Sequence, residues 1–89
     1  MKVEAVFFAQ LREMVGVRQK HVELPAGARV RDLVDLLARQ HGDNFRDEIK
    51  NLEGTRILIG DREYFPDEVM DTRLKDGDQV VFLPPIFGG

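Results

Sequence analysis

The last six residues of the sequence, 84–89, are its strongest candidate for chemistry, and they read Pro-Pro-Ile-Phe-Gly-Gly. An α-carboxylate is ionised at neutral pH, and it is a poor acyl donor until it is activated. If the carboxylate of Gly89 attacked the α-phosphate of ATP, the product would be an acyl-adenylate, which is a good electrophile. Sulfide could then form a thiocarboxylate, or a lysine amine could form an isopeptide bond. The segment therefore predicts a carried substrate with no cofactor of its own, activated by a partner that uses ATP.

The residues before Gly89 suggest how such a carboxylate would reach an active site in a partner. Adjacent prolines favour polyproline geometry, and the chain from Leu83 to Gly89 would project by roughly 20 Å when extended. Gly88 and Gly89 lack a Cβ and could pass through a narrow channel. Ile86 and Phe87 could fill apolar pockets just behind them. A frayed, unused chain end is the alternative interpretation, although the ends of small domains are usually polar.

Composition disfavours most other kinds of active site. The sequence has no Cys and no Ser, which excludes disulfides, thiolate catalysis, cysteine zinc clusters and a serine nucleophile. The two histidines, His21 and His41, are interpreted as surface residues, and the carboxylates fall mostly at turns or on solvated helix faces. We therefore expect a protein that is not an enzyme by itself and that binds no metal.

Length and charge restrict the kinds of protein further. The 89 residues suffice for one small domain, which we expect over residues 1–83, with residues 84–89 as a flexible, extended C-terminal tail. The net charge of -3 argues against nucleic-acid binding and against a polybasic membrane patch. No apolar run approaches the roughly 20 residues of a membrane span, and the amino end does not resemble a signal peptide. A cytoplasmic protein is expected.

Hydrophobic periodicity predicts an early pair of strands, one long helix and a later group of strands. The predicted strands are 2–8, 18–24, 56–60, 62–65 and 79–83, and the predicted helices are 10–15, 29–41 and a short piece from 43 or 44 to 49. The long helix has an apolar stripe at i, i+3, i+4 and i+7: Val30, Leu33, Val34 and Leu37. We expect an α+β fold in which a mixed sheet of about four or five strands packs on this helix. The first and last strands should pair in parallel at the centre.

Alternation along the predicted strands indicates an apolar surface beside residues 84–89. If Glu4 faces away from the helix, Val6 and Phe8 must do so too. The same alternation turns three residues of the later strands outward: Leu58, Val81 and Leu83. An exposed apolar patch is typical of a binding face. The alternative is that a loop or a helix covers it.

Three separate runs carry a family resemblance. Residues 7–13 (Phe-Phe-Ala-Gln-Leu-Arg-Glu), 74–82 (Leu-Lys-Asp-Gly-Asp-Gln-Val-Val-Phe) and 84–89 resemble the molybdopterin synthase small subunits, the MoaD-type sulfur carriers of the MoaD/ThiS family. The runs lie far apart and in the family's order, so the resemblance covers essentially the whole chain. The related thiamine carriers (ThiS-type) are usually shorter and lack the helix at 7–13. The resemblance implies a ubiquitin-like β-grasp fold.

The resemblance also implies roles for particular residues and partners. Gly89 would carry the acyl-adenylate and then the thiocarboxylate, with Gly88 as a spacer. An E1-like adenylyltransferase (MoeB-type) would activate it. The large subunit of molybdopterin synthase (MoaE-type) would admit the tail, and sulfur would pass there to cyclic pyranopterin monophosphate. Phe8 and Leu83 match positions of the family's partner interface. The expected partner-binding residues are these two with Leu58, Val81, Pro84, Pro85, Ile86 and Phe87.

Other functions stay open on the sequence alone. The same Gly89 would serve a ubiquitin-like protein modifier that forms isopeptide conjugates, as the related small archaeal modifiers do. It would also serve a sulfur carrier for thiamine or transfer RNA, and a plain interaction domain would not need it. Phe87 departs from the family, in which the residue before the two glycines is commonly small or polar.

Overall fold

The computed structural model describes residues 1–51 and 55–84 of the chain. Its strands are β1 (Lys2–Phe7), β2 (Gln19–Glu23), β3 (Arg56–Ile59), β4 (Arg62–Tyr64) and β5 (Gln79–Leu83). Its helices are α1 (Ala9–Val15), α2 (Val30–His41), α3 (Asn44–Asn51) and α4 (Pro66–Val69). The strands form one sheet in the order β2-β1-β5-β3-β4.

The two central strands, β1 and β5, run parallel although they come from opposite ends of the described chain. The other three pairs in the sheet are antiparallel. These pairings confirm the α+β class and the prediction that the first and last strands pair at the centre of a mixed sheet. Because β5 lies between β1 and β3, the strand that leads to residues 84–89 is held on both sides.

The core lies between one face of the sheet and the helices. The sheet contributes alternate residues of its strands, and α2 contributes the predicted apolar stripe: Val3, Ala5, Phe7, Ile57, Val80 and Phe82, with Val30, Leu33, Val34 and Leu37. Three aromatic rings meet at its centre. Phe7 and Phe82 stack with ring centroids 5.7 Å apart, and Phe45 of α3 meets both edge-on at 6.0 and 5.9 Å. Such pairs add to the stabilisation that burial supplies.

The strand bounds lie within one residue of the prediction, but the turn after β4 differs from it. Pro66 ends β4 as its missing N–H requires, and it also begins the short helix α4, which was not predicted. A proline suits the first helical position because the N–H of that residue has no partner within the helix. The carboxylate of Glu68 then accepts the backbone N–H of Phe65 at 2.8 Å. This contact fixes the backbone of Phe65 at the end of the edge strand.

Candidate functional site

The outer face of the sheet, which points away from α2, has an apolar centre. Val6 of β1 is the register partner of Val81, and Val81 is in turn the partner of Leu58. Leu83 lies two residues further along β5, and Phe8 directly follows β1. We call these five residues the docking patch: Val6, Phe8, Leu58, Val81 and Leu83. The structure therefore brings together the apolar residues that alternation turned outward.

The members of the docking patch differ in exposure. Phe8 is 40% exposed, whereas Leu58, Val81 and Leu83 are half-buried. Val6 has the predicted outward direction but is only 8% exposed. Its cross-strand neighbours are Gln19 of β2 and Val81 of β5. The accessible part of the patch thus lies toward Phe8 and the carboxyl end of β5.

Phe8 owes its position to the abrupt turn between β1 and α1. Its backbone is extended, with φ -130° and ψ 158°, and the next residue, Ala9, has a positive φ of 50°. The backbone oxygen of Phe8 accepts the N–H of Arg12 at 3.3 Å, which ties Phe8 to the first turn of α1. Few L-residues other than Asn and Asp adopt a positive φ readily. At Ala9 the chain leaves the sheet and enters α1, so Phe8 is the last extended residue after β1 and lies at the end of the sheet.

A row of polar side chains borders the docking patch on the side away from Leu83. The amide of Gln79 donates to Oε1 of Glu4 at 2.6 Å, and Nε2 of His21 lies 3.8 Å from Oε2 of Glu4. These three residues are register neighbours on the outer face of β5, β1 and β2. His21 is therefore a surface residue, as predicted. The row marks the polar limit of the apolar area.

At the opposite side, Arg56 and Phe65 stand beside the docking patch. Arg56 is the register partner of Leu83, and its guanidinium carbon lies 3.9 Å from the centroid of the Phe65 ring. Phe65 is 54% exposed. Neither residue was predicted from the sequence to belong to the site. Alternation along β4 could have found Phe65, since Glu63 faces Leu58 across the strands and Phe65 is two residues further on.

The described chain ends at the place where the predicted tail begins. Leu83 is the last residue of β5, and Pro84, which is half-buried, follows it. The predictions made for Pro85, Ile86, Phe87, Gly88 and Gly89 fall outside the described residues. Because Leu83 belongs to the docking patch, residues 84–89 start from the edge of that patch.

The described residues offer little alternative chemistry. No group of three or more His, Asp or Glu side chains within 1–51 and 55–84 is arranged to hold a metal ion. His41 lies at the end of α2, where partial burial and the nearby Lys20 ammonium lower its pKa. Nζ of Lys20 donates to Oε1 of Gln40 at 2.7 Å, so this group joins β2 to α2. Across the described segments, none of the helices has the length and apolar character that a bilayer crossing requires.

Comparison with known proteins gives a family match over most of the chain. The model of the ThiS family matches residues 5–89. A curated relative from Chlamydomonas reinhardtii, the "Molybdopterin synthase sulfur carrier subunit", is 30% identical over 89 residues, which is 100% of this chain and 100% of the relative. The match thus includes both the strands of the docking patch and the carboxyl-terminal residues.

Solved structures agree with the fold. Subunit 1 of a molybdopterin converting factor from Pyrococcus furiosus is 33% identical, with a TM-score of 0.77 over 97% of this chain and 99% of that chain. Small archaeal modifier protein 1 from Methanosarcina acetivorans is 27% identical, with a TM-score of 0.76 over 99% of this chain and 96% of that chain. A chain from the complex of subunits 1 and 2 of the Helicobacter pylori molybdopterin-converting factor is 25% identical, with a TM-score of 0.64 over the full length of both. These neighbours confirm the expected ubiquitin-like β-grasp fold.

Proposed function

The chain belongs to the ThiS family, and from that membership we propose that it is the sulfur carrier of a molybdopterin synthase, with Gly89 as the sulfur-bearing residue. One observation above all supports this role: a relative named as the sulfur carrier subunit of that synthase aligns with this chain over the full length of both. The sulfur would pass to cyclic pyranopterin monophosphate, the acceptor that the family resemblance implies. Residues 1–83 would be the docking domain and residues 84–89 the segment that carries the reactive group.

The proposed activation has two steps. The Gly89 carboxylate attacks the α-phosphate of ATP, and pyrophosphate leaves, which gives an acyl-adenylate. Hydrosulfide then attacks the acyl carbon, AMP leaves, and a thiocarboxylate remains. An E1-like adenylyltransferase would bind the ATP and stabilise the charge that develops at the phosphate. Gly88 would act as the spacer that lets the partner's channel close around the backbone.

The proposed interface for delivery is the docking patch together with residues 84–87. Burying an aromatic or aliphatic side chain such as Phe8 or Leu83 contributes roughly 1.5–3 kcal/mol by transfer from water. The large subunit of the synthase would cover Phe8, Leu58, Val81 and Leu83. Pro84, Pro85, Ile86 and Phe87 would lead the terminus into that subunit's active site. The likeness to a chain solved in a complex of subunits 1 and 2 supports this arrangement.

A second role is favoured by the likeness to small archaeal modifier protein 1. In that role the same acyl-adenylate would be attacked by a lysine amine of another protein, AMP would leave, and an isopeptide bond would form. Both roles need Gly89 and an activating enzyme, so they differ only in the nucleophile. Thiamine and transfer-RNA thiolation, the other sulfur pathways, would use the same thiocarboxylate.

Intact-mass spectrometry tests the proposal. The chain is incubated with the E1-like enzyme of its own cell, ATP and a sulfide source, and then with the large subunit and the pterin substrate. We expect the mass to rise by the difference between sulfur and oxygen, and to return when the pterin is added. An unchanged mass would contradict the activation step. A ladder of conjugates in the cell with no thiocarboxylate would favour the modifier role.

A further inference from the structure

Arg56 and Phe65 lie beside Leu83 and have no part in the proposed function. Arg56 is the cross-strand partner of Leu83. Phe65 has the highest exposed fraction, 54%, among the exposed large hydrophobic residues in the described part of the chain. Leu83 thus lies between the end of β1, which Phe8 follows, and the Arg56–Phe65 pair. An exposed aromatic ring that continues an apolar patch indicates an interaction surface more strongly than an isolated exposed ring does.

Strand pairing accounts for the position of the pair. Ile57 and Tyr64 are register partners in the antiparallel β3–β4 hairpin, and both side chains lie on the core side of the sheet. The residues one step outside this pair, Arg56 and Phe65, therefore lie opposite each other on the outer face. The 3.9 Å between the guanidinium carbon and the ring centroid agrees with that geometry. The contact is thus fixed by the hairpin register.

The guanidinium of Arg56 has unused capacity for a carboxylate. Its Nη1 donates to the backbone oxygen of Thr55 at 3.1 Å. Its Nε lies 4.0 Å from Oε1 of Glu63, which is too far for a hydrogen bond. Within residues 1–51 and 55–84, no carboxylate lies at hydrogen-bond distance from this guanidinium. An arginine has five N–H donors in a planar fork that matches a carboxylate.

The pair is also preorganised. The Phe65 backbone is fixed by its N–H bond to Glu68 at 2.8 Å, and the ring supports one face of the guanidinium. Stacking on an aromatic face holds an arginine fork in one plane, so less conformational freedom is lost when a ligand binds. The surface is therefore suited to a partner that presents a carboxylate next to an apolar side chain.

From these contacts we propose that Arg56 and Phe65 extend the docking patch, and that the large subunit covers them with an acidic side chain on Arg56 and an apolar side chain on Phe65. This inference rests on the proposed function, because it takes the same large subunit as the occupant. The choice of occupant follows from continuity, since Arg56 and Leu83 are direct cross-strand neighbours. The choice of a carboxylate follows from the charge of Arg56.

Calorimetric titration of the chain with the large subunit from its own cell tests the inference. We expect Arg56→Gln, Arg56→Lys and Phe65→Ala each to raise the Kd by about tenfold. The Arg56 variants lose the fork that pairs with a carboxylate, and Phe65→Ala loses an aromatic contact. Arg56→Lys keeps the charge but loses the planar fork and the stacking. Glu63→Gln removes the carboxylate that lies 4.0 Å from Nε of Arg56, and it should not raise the Kd.

A matched control is available in the same hairpin. Arg62→Gln also removes one positive charge, from β4. Arg62 is the register partner of Ile59, which packs against the core, so it does not belong to the outer face that carries Arg56. This variant should change the Kd by less than about twofold. The Kd of Arg56→Gln should also depend less on salt than that of the wild type. Melting temperatures of all variants verify that each one folds.

Phe8→Ala separates this inference from the proposed function. If Phe8→Ala weakens binding while Arg56→Gln and Phe65→Ala bind like the wild type, the inference is wrong and the proposed docking patch stands. If the wild-type chain does not bind the large subunit at all, both are wrong. Equal losses in Arg56→Gln and Arg62→Gln would also overturn the inference, because they would reflect net charge alone.

Discussion

Phe7 and Phe82 stack across the two central strands with their ring planes 3° apart, and each is followed directly by a residue of the docking patch. Because side chains alternate along a strand, burying this pair turns Phe8 and Leu83 away from the core. A shift of the strand register by one residue would turn buried residues to the outer face and residues of the docking patch toward the core. The same strand register therefore determines both the core and the surface that we propose for docking.

This arrangement predicts losses of stability of very different size for two neighbouring substitutions in β5. Phe82→Ala should lower the free energy of unfolding by about 3–5 kcal/mol, because it leaves a cavity where three rings meet. Leu83→Ala should lower it by less than about 1.5 kcal/mol, because this side chain is half-buried on the outer face. Chemical denaturation followed by circular dichroism measures both. Similar losses in the two variants would contradict the proposed division between core and surface.

Phe8→Ala should weaken binding and leave stability nearly unchanged. The side chain is 40% exposed and lies at the edge of the docking patch, so we expect its loss to raise the Kd for the large subunit by about tenfold or more. Val17→Ala is the matched control, since Val17 is another exposed hydrophobic residue (46% exposed) and lies outside the docking patch. It should bind like the wild type. Binding losses of equal size would show that exposed apolar area anywhere contributes.

The fold could be predicted from the sequence because its strands and main helix have clear periods. Alternation predicted that Val3, Ala5 and Phe7 share the inner face of β1, and the spacing of apolar residues predicted the buried face of α2. Both are local patterns, and the residues concerned are buried in the structure. The short helix α4 was missed, because Pro66 was interpreted as the end of a strand and a helix of four residues has no hydrophobic period. The Glu68 carboxylate, which accepts the backbone N–H of Phe65, caps the start of this helix.

The candidate site could be predicted only in part. Alternation along a strand gives the direction of a side chain but not its exposure, so Val6 was expected in the accessible patch although it is only 8% exposed. The stacking of Arg56 on Phe65 joins β3 to β4, and it depends on a hairpin register that alternation within one strand does not specify. The predictions for residues 85–89 remain predictions.

Asp32 should stabilise the start of α2. Its carboxylate accepts the backbone N–H of Arg29 at 2.8 Å, and its charge lies at the positive end of the helix macrodipole. Asp32→Ala should lower the free energy of unfolding by about 1 kcal/mol. Asp32→Asn keeps an acceptor and loses only the charge, so its loss should be smaller. Thermal unfolding of the two variants distinguishes them, and an Asp32→Ala protein as stable as the wild type would show that the contact contributes nothing.

His41 should make stability depend on pH. Partial burial, followed by the Lys20 ammonium, lowers the pKa of His41 below its ordinary 6.5. The folded chain therefore binds a proton at His41 less readily than the unfolded chain does. The resulting contribution to the free energy of unfolding is fully present above pH 6.5 and is lost as the pH falls through the lowered pKa. Between about pH 8 and about pH 5, the melting temperature of His41→Gln should fall less than that of the wild type. A His41→Gln protein whose melting temperature falls as much as that of the wild type would contradict this dependence.

Gly89→Ala should abolish activation without affecting the fold. If residue 89 ends an extended tail that takes no part in the core, as the sequence predicts, a methyl group there should leave the melting temperature within about 1 °C of the wild type. In the proposed activation a Cβ at this position obstructs the approach of the carboxylate to ATP, so no mass increase should appear with the E1-like enzyme. Gly27→Ala is the matched control: its φ is +84° and a Cβ there would meet no atom within 4 Å. It should cost about 1–2 kcal/mol through backbone strain alone and still be thiocarboxylated. A Gly89→Ala protein that melts much earlier, or that is activated as fast as the wild type, would contradict the separation of a folded docking domain from a terminal residue that does the chemistry.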